Sequence, residues 1–257
     1  MPGDLTFFAA AIPAVILVGL SKGGLGGALA LMGVPLLALV VSPVEAAAIM
    51  LPILIVMDAA GLWVWRKYHH TPTLRSILPG GIVGIGIGWL MASFVSDAVI
   101  RLIVGVVALL FVMRYAYDRY HLGDLIPRQP KPPNAVKGTF WGTVSGFTSF
   151  VSHAGGPPYQ IYTMPLGLSP RVYTGTSTRY FAVVNALKVL PYFMLGQFDS
   201  RNLTASAMLL PLALAATFAG AWLVRRMRPE IFYPLMYAMI AATAIKLVAD
   251  GVHGLWS

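Results

Sequence analysis

Long apolar runs, broken only by short Gly-, Pro- or charge-bearing connections, recur along this whole 257-residue chain. A helix that crosses a bilayer needs about 20 mostly apolar residues. In lipid only helices and closed barrels satisfy every backbone N–H and C=O. A barrel would show period-two polarity, and the runs here are continuous instead. The sequence therefore predicts an all-α, polytopic helical membrane protein. About ten segments are expected, at 5–20, 25–41, 44–66, 76–95, 98–117, 136–152, 156–167, 172–194, 203–224 and 231–249. The first, second, sixth and seventh are short or interrupted by Gly and Pro, so each is read as a half-helix or a re-entrant arm.

Composition excludes the main alternatives. Only 11% of residues are charged, against roughly 25% in a soluble domain, and the mean hydropathy is +0.76. A disordered chain, an ordinary soluble enzyme and a single-span anchored protein are all ruled out. The chain has no cysteine, hence no disulfide framework and no thiolate metal site. No metal and no cofactor is expected. The net charge of +9 is concentrated in a few connections, which points to membrane topology and not to nucleic acid. Arg66-Lys67…Arg75, the stretch from Arg114 to Lys137, and Arg225-Arg226-Met227-Arg228 fall on one face in strict alternation. The other face receives Asp4, Glu45, Asp97, Asp199, Arg201 and Asp250. The positive-inside rule then puts the basic loops in the cytoplasm and both termini outside.

The halves of the chain match each other at an offset of about 127–133 residues. Val34-Pro35-Leu36 answers Met164-Pro165-Leu166, and Ser42-Pro43 answers Ser169-Pro170. Asp58 answers Asn185, and Gly88-Trp89-Leu90 answers Ala221-Trp222-Leu223. Ser21-Lys22-Gly23-Gly24 answers Ser152-His153-Ala154-Gly155-Gly156 with one extra residue. Each half holds an odd number of crossings, so the repeats have inverted topology, an arrangement common in secondary transporters. Residues 1–121 are read as the N-terminal transmembrane repeat and 136–257 as the C-terminal one. Residues 122–135, with Pro127, Pro130, Pro132 and Pro133, form an extended, solvated cytoplasmic linker.

The two Gly-rich breaks are the foremost candidate site. A helix that restarts after a break presents free N–H groups and the positive end of its dipole, which suits an anion. Ser21, Lys22, Gly23 and Gly24 in the first break, and Ser152, His153, Gly155 and Gly156 in the second, are read as substrate-binding; the alternative is close helix packing through small residues. Lys22 carries most weight, because an ammonium inside the membrane costs roughly 2.5–3.5 kcal/mol on insertion scales. Thr176, Arg179 and Asn185 stand in an otherwise apolar helix. Arg179 is read either as a planar fork for a tetrahedral oxyanion or as half of a structural charge pair. Lys188 shares a face with Asn185, and snorkelling to the headgroups is its other reading. Asp58 is the acid deep in an apolar run, read as the counter-charge of Lys22 or Arg179 in preference to a proton carrier. His69, His70, His121 and His253 fall in loops or helix ends. There is no G-x-x-x-x-G-K-[ST] and no H-E-x-x-H, and no nucleophile–base–orienter set emerges, so an enzyme is not expected.

With its two-fold repeat, its Leu20-Ser21-Lys22-Gly23-Gly24-Leu25-Gly26-Gly27 segment and its Gly175-Thr176-Ser177…Asn185 stretch, the chain resembles the sulfite exporter TauE/SafE family over nearly its whole length. The resemblance implies a multi-pass secondary transporter of the bacterial inner membrane. Its substrate would be sulfite or an organosulfonate such as sulfoacetate, exported by alternating access from a site between the repeats. Alternatives are an anion channel with the same site and a carrier of a non-sulfur organic anion. The implied partners are a small anionic substrate and the lipid bilayer. A coupling proton or cation and a homo-oligomer stay open, and no nucleic acid is implied.

Overall fold

A computed structural model describes residues 4–256, apart from 26, 31, 92–93, 123–129 and 195–198. The described residues are all-helical, in the order α1 (Leu5–Leu20), α2 (Gly27–Ala30), α3 (Gly33–Leu37), α4 (Pro43–Val64), α5 (Thr71–Met91), α6 (Asp97–Leu122), α7 (Ala135–Ser152), α8 (Gly156–Thr163), α9 (Pro170–Met194), α10 (Ser200–Arg226) and α11 (Pro229–Trp256). A π turn, Ser21–Leu25, prolongs α1, and a 3-10 turn, Met164–Leu166, follows α8.

Local chemistry sets the helix starts. The Ser42 hydroxyl accepts from Glu45 N–H, the Asn134 amide oxygen from Lys137 N–H, and the Asp199 carboxylate from Asn202 N–H; each satisfies a donor with no partner inside its own helix. Among the described residues six helices are long and apolar enough to cross a membrane: Leu5–Leu25, Glu45–Val64, Thr71–Met91, Asp97–Asp118, Ser200–Arg226 and Pro229–Trp256. α7 and α9 are long but interspersed with Ser, Thr and charged residues. Two expectations are corrected. The run 25–41 is two short helices and not one segment. α6 extends to Leu122 and α11 to Trp256, well past the expected ends. Of the linker expected at 122–135, Pro130–Asn134 is non-helical backbone, with Lys131 N–H donating to the Pro165 carbonyl. Pro127 and Arg128 lie outside the described residues.

The helices form two compact units. Unit 1 comprises Met1–His70 and Pro170–Arg228, and unit 2 comprises Thr71–Ser169 and Pro229–Ser257. Each takes helices from both halves of the sequence. In unit 1, α10 packs on α1, α4 and the π turn, and α4 packs on α9. An apolar core of Phe7, Val15, Ile49, Met50, Ile53 and Leu209 lies among α1, α4 and α10. In unit 2, α5 packs on α7 and α6 on α11.

The α5–α7 contact is made by glycines four residues apart on both helices, Gly80, Gly84 and Gly88 facing Gly138, Gly142 and Gly146. A Cβ on Gly84 would collide with the Thr143 carbonyl, and one on Gly142 with that of Ile77. In lipid, where apolar burial does not drive helices together, such backbone approach supplies the van der Waals contact that does.

Gly84→Leu should therefore lower the thermal unfolding temperature in detergent, with overpacking costing about 1–3 kcal/mol. Gly86→Ala, on the same helix with nothing within 4 Å of its Cβ position, should leave it unchanged or slightly higher.

Candidate anion-binding site

Unit 1 holds Ser21–Gly24, Asp58, Thr176, Arg179 and Asn185; unit 2 holds Ser152, His153, Gly155 and Gly156. In unit 1 the π turn at the end of α1 carries Lys22. Its Nζ donates to Asp58 Oδ1 at 2.6 Å and lies 5.7 Å from the Phe181 ring centre. Asn185 Nδ2 donates to Asp58 Oδ2, also at 2.6 Å. One carboxylate thus joins the π turn, α4 and α9. Asp58 is 3% exposed and Asn185 5% exposed, so this is a charge pair in an apolar interior, tolerable only when both carboxylate oxygens are engaged. Lys188, one helical turn past Asn185, is 2% exposed. The snorkelling reading is thereby corrected: its stem and ammonium stay inside the unit.

The break is fixed by backbone geometry. Gly24 has φ 140° and ψ 0°, a conformation reserved for glycine, and a Cβ there would press on the Thr174 side chain. The Trp65 indole N–H donates to the Gly23 carbonyl at 3.2 Å, tying the break to the end of α4. Among the described residues the helix after this break, α2, spans Gly27–Ala30, and the feature the break presents is the Lys22 side chain.

Arg179 serves the end of α4. Its Nη1 donates to the carbonyls of Trp65, Tyr68 and Gly175, and its Nη2 to that of Arg66. Both terminal nitrogens are thereby committed to backbone. Arg225 adds a bond to the Val64 carbonyl. Thr176 donates to the Val172 carbonyl and accepts from His70 N–H, so it fastens the following loop. The sequence carries no sign of these partners, because a backbone carbonyl has no residue signature.

In unit 2 the second break is a capped turn. His153 is left-handed at φ 54°. Ala154 N–H donates to the Thr148 carbonyl, while the Thr148 hydroxyl donates to that of Ala154. Ser145 Oγ donates to the Gly155 carbonyl at 2.7 Å. Pro157 and Pro158 have no N–H, so the start of α8 has amides only at Gly155 and Gly156. Tyr162, downstream, bonds Ser76 Oγ and the Asn134 backbone, joining α8 to α5 and to the start of α7. Among the described residues no cluster of His, Cys, Asp or Glu could hold a metal.

Asp58→Ala should destabilise the protein more than Lys22→Ala, by about 3 kcal/mol or more. Removing the acid leaves the Lys22 ammonium without its carboxylate, whereas removing Lys22 leaves Asp58 with the Asn185 amide. Thermal unfolding of both variants in one detergent checks the order, and the reverse order would contradict this reading of the pair. Arg179→Lys should cost about 2 kcal/mol by the same measurement, since an ammonium cannot reach carbonyls on both sides of the planar fork.

The family model of the sulfite exporter TauE/SafE matches residues 11–247. No curated protein and no solved structure gives a significant match. The family match spans the π turn, α4 and α9, which build the charged cluster of unit 1. The chain belongs to the sulfite exporter TauE/SafE family of membrane transporters, not to a family of enzymes.

Proposed function

We propose that this protein exports a small sulfur-containing anion, sulfite or an organosulfonate, across the bacterial inner membrane by alternating access, with both termini outside. The family match supports the substrate class. The observation that carries the assignment of a site is the buried contact of Lys22 and Asp58, from the first half of the chain, with Asn185 from the second. An oxyanion competes with Asp58 for the Lys22 ammonium, and Asn185 supplies a neutral donor beside it. Exchange of one anionic partner for another leaves the ammonium paired throughout, which avoids the large cost of a lone buried charge.

The packing within each unit supports the inverted repeat. Asp58 and Asn185, equivalent positions of the two halves, touch each other. Their helices α4 and α9 are repeat mates packed together in unit 1, as mates α6 and α11 are in unit 2. α1, which ends at the first break, packs on α10, and α7, which ends at the second, packs on α5. Under the repeat these two pairs are equivalent. Such exchange of equivalent helices is the construction on which alternating access in inverted-repeat carriers rests.

Sulfite, sulfoacetate or taurine should raise the thermal unfolding temperature of the purified protein, since a ligand bound only to the folded state stabilises it. In proteoliposomes, unlabelled substrate on the far side should accelerate uptake of labelled substrate. Anion flux without that acceleration would identify a channel, and no flux of any sulfur anion would remove the substrate class.

A further inference from the structure

Unit 1 gathers its exposed cations at one end. Arg66 and Lys67 follow α4, Arg171 opens α9, and Arg225, Arg226 and Arg228 lie at the close of α10. Arg225 donates to the Val64 carbonyl and Arg171 to that of Arg225, so the three helix ends adjoin. All six residues are exposed, and among the described residues none of them pairs with a carboxylate. The acids of the unit stand elsewhere. Asp4 and Asp199 cap the starts of α1 and α10, and Glu45, in the first turn of α4, faces Arg201. Asp58 is buried and holds Lys22. Glu230, the next acid after Arg228, belongs to unit 2. The span Glu45–Val64 has 20 residues, a rise of about 30 Å. A full hydrocarbon thickness thus separates Glu45 from the basic end.

Where α4 meets α10, this end also carries exposed aromatic rings. Trp63 meets Phe218 edge-on, with ring centres 6.4 Å apart, and Trp222 lies one turn past Phe218 on the same face of α10. Trp63 is 63% exposed and Trp222 57%. An arginine stands over each indole: Arg66 lies 5.1 Å from the Trp63 ring centre and Arg226 3.9 Å from that of Trp222. Stacking steadies a guanidinium while its N–H donors remain at the edge of the plane. Exposed tryptophans in a membrane protein lie at headgroup level, which puts both arginines among the phosphates.

We propose that this seam binds one anionic phospholipid, with its phosphate taken by Arg66 and Arg226 and its acyl chains laid along Trp63, Phe218 and Trp222. Charge selects the headgroup. A zwitterionic lipid brings an ammonium toward six cations, whereas phosphatidylglycerol brings the phosphate alone. The aromatic rings select a lipid over a free phosphate, because only acyl chains use that surface.

Native mass spectrometry of the full chain in detergent tests this with phosphatidylglycerol and phosphatidylcholine of equal acyl length. Phosphatidylglycerol should bind several-fold tighter. Arg66→Gln combined with Arg226→Gln should weaken it at least tenfold, at the scale of one basic residue each near a headgroup. Arg66→Lys with Arg226→Lys, which keeps the charge, should retain most of the binding. Lys131→Gln with Lys137→Gln, which removes the same charge from unit 2, should leave it unchanged. Equal affinity for the two lipids, the same loss in both glutamine pairs, or loss in the lysine pair would overturn the site. Displacement of the lipid by equimolar glycerol phosphate would also overturn it, by making the occupant a soluble phosphate.

Discussion

The salt bridge between Lys22 and Asp58 is the constraint around which unit 1 is arranged. An ammonium inside an apolar helical unit has to meet a carboxylate and keep it. Lys22, in the π turn that ends α1, reaches Asp58 of α4, and the chain breaks just after it at Gly24. Asn185 then takes the second carboxylate oxygen from α9. The break is in turn held by the Trp65 indole, and the end of α4 by Arg179 and Arg225. Each of these contacts stabilises the geometry of one ion pair.

Most of the helices are legible in the sequence because a bilayer allows the backbone so few solutions. Most of the expected segments lie close to observed helices, and α6 and α11 run on past their apolar stretches because Tyr, His and Trp suit helix ends near an interface. The run 25–41 reads as one helix but carries Gly and Pro, and it folds as two short pieces. The pairing of Asp58 with Asn185 has a trace in the sequence as a repeat match at equal offset. The burial of Lys188 has none: a lysine in an apolar helix reads the same whether its ammonium snorkels or turns inward. The carbonyls that hold Arg179 are equally silent, and so is the exchange of α5, α6, α9 and α10 between the halves in forming the two units.

The two Gly-rich breaks look alike in sequence and differ in structure. The first presents a charged side chain from a strained turn. The second is a helix end stitched by Ser145 and Thr148, followed by two prolines that remove amide donors. Under the proposed function, the chemistry for an anion in unit 1 comes from side chains more than from helix dipoles, and an anion that replaces Asp58 at Lys22 would loosen the link between α4 and the π turn.

The most direct test is to locate a bound anion. Crystals grown with bromomethanesulfonate give an anomalous bromine signal at the anion. The account predicts a peak within a few ångströms of the Lys22 ammonium group, inside unit 1. A protein that binds the compound in solution yet shows its peak far from Lys22 would contradict it.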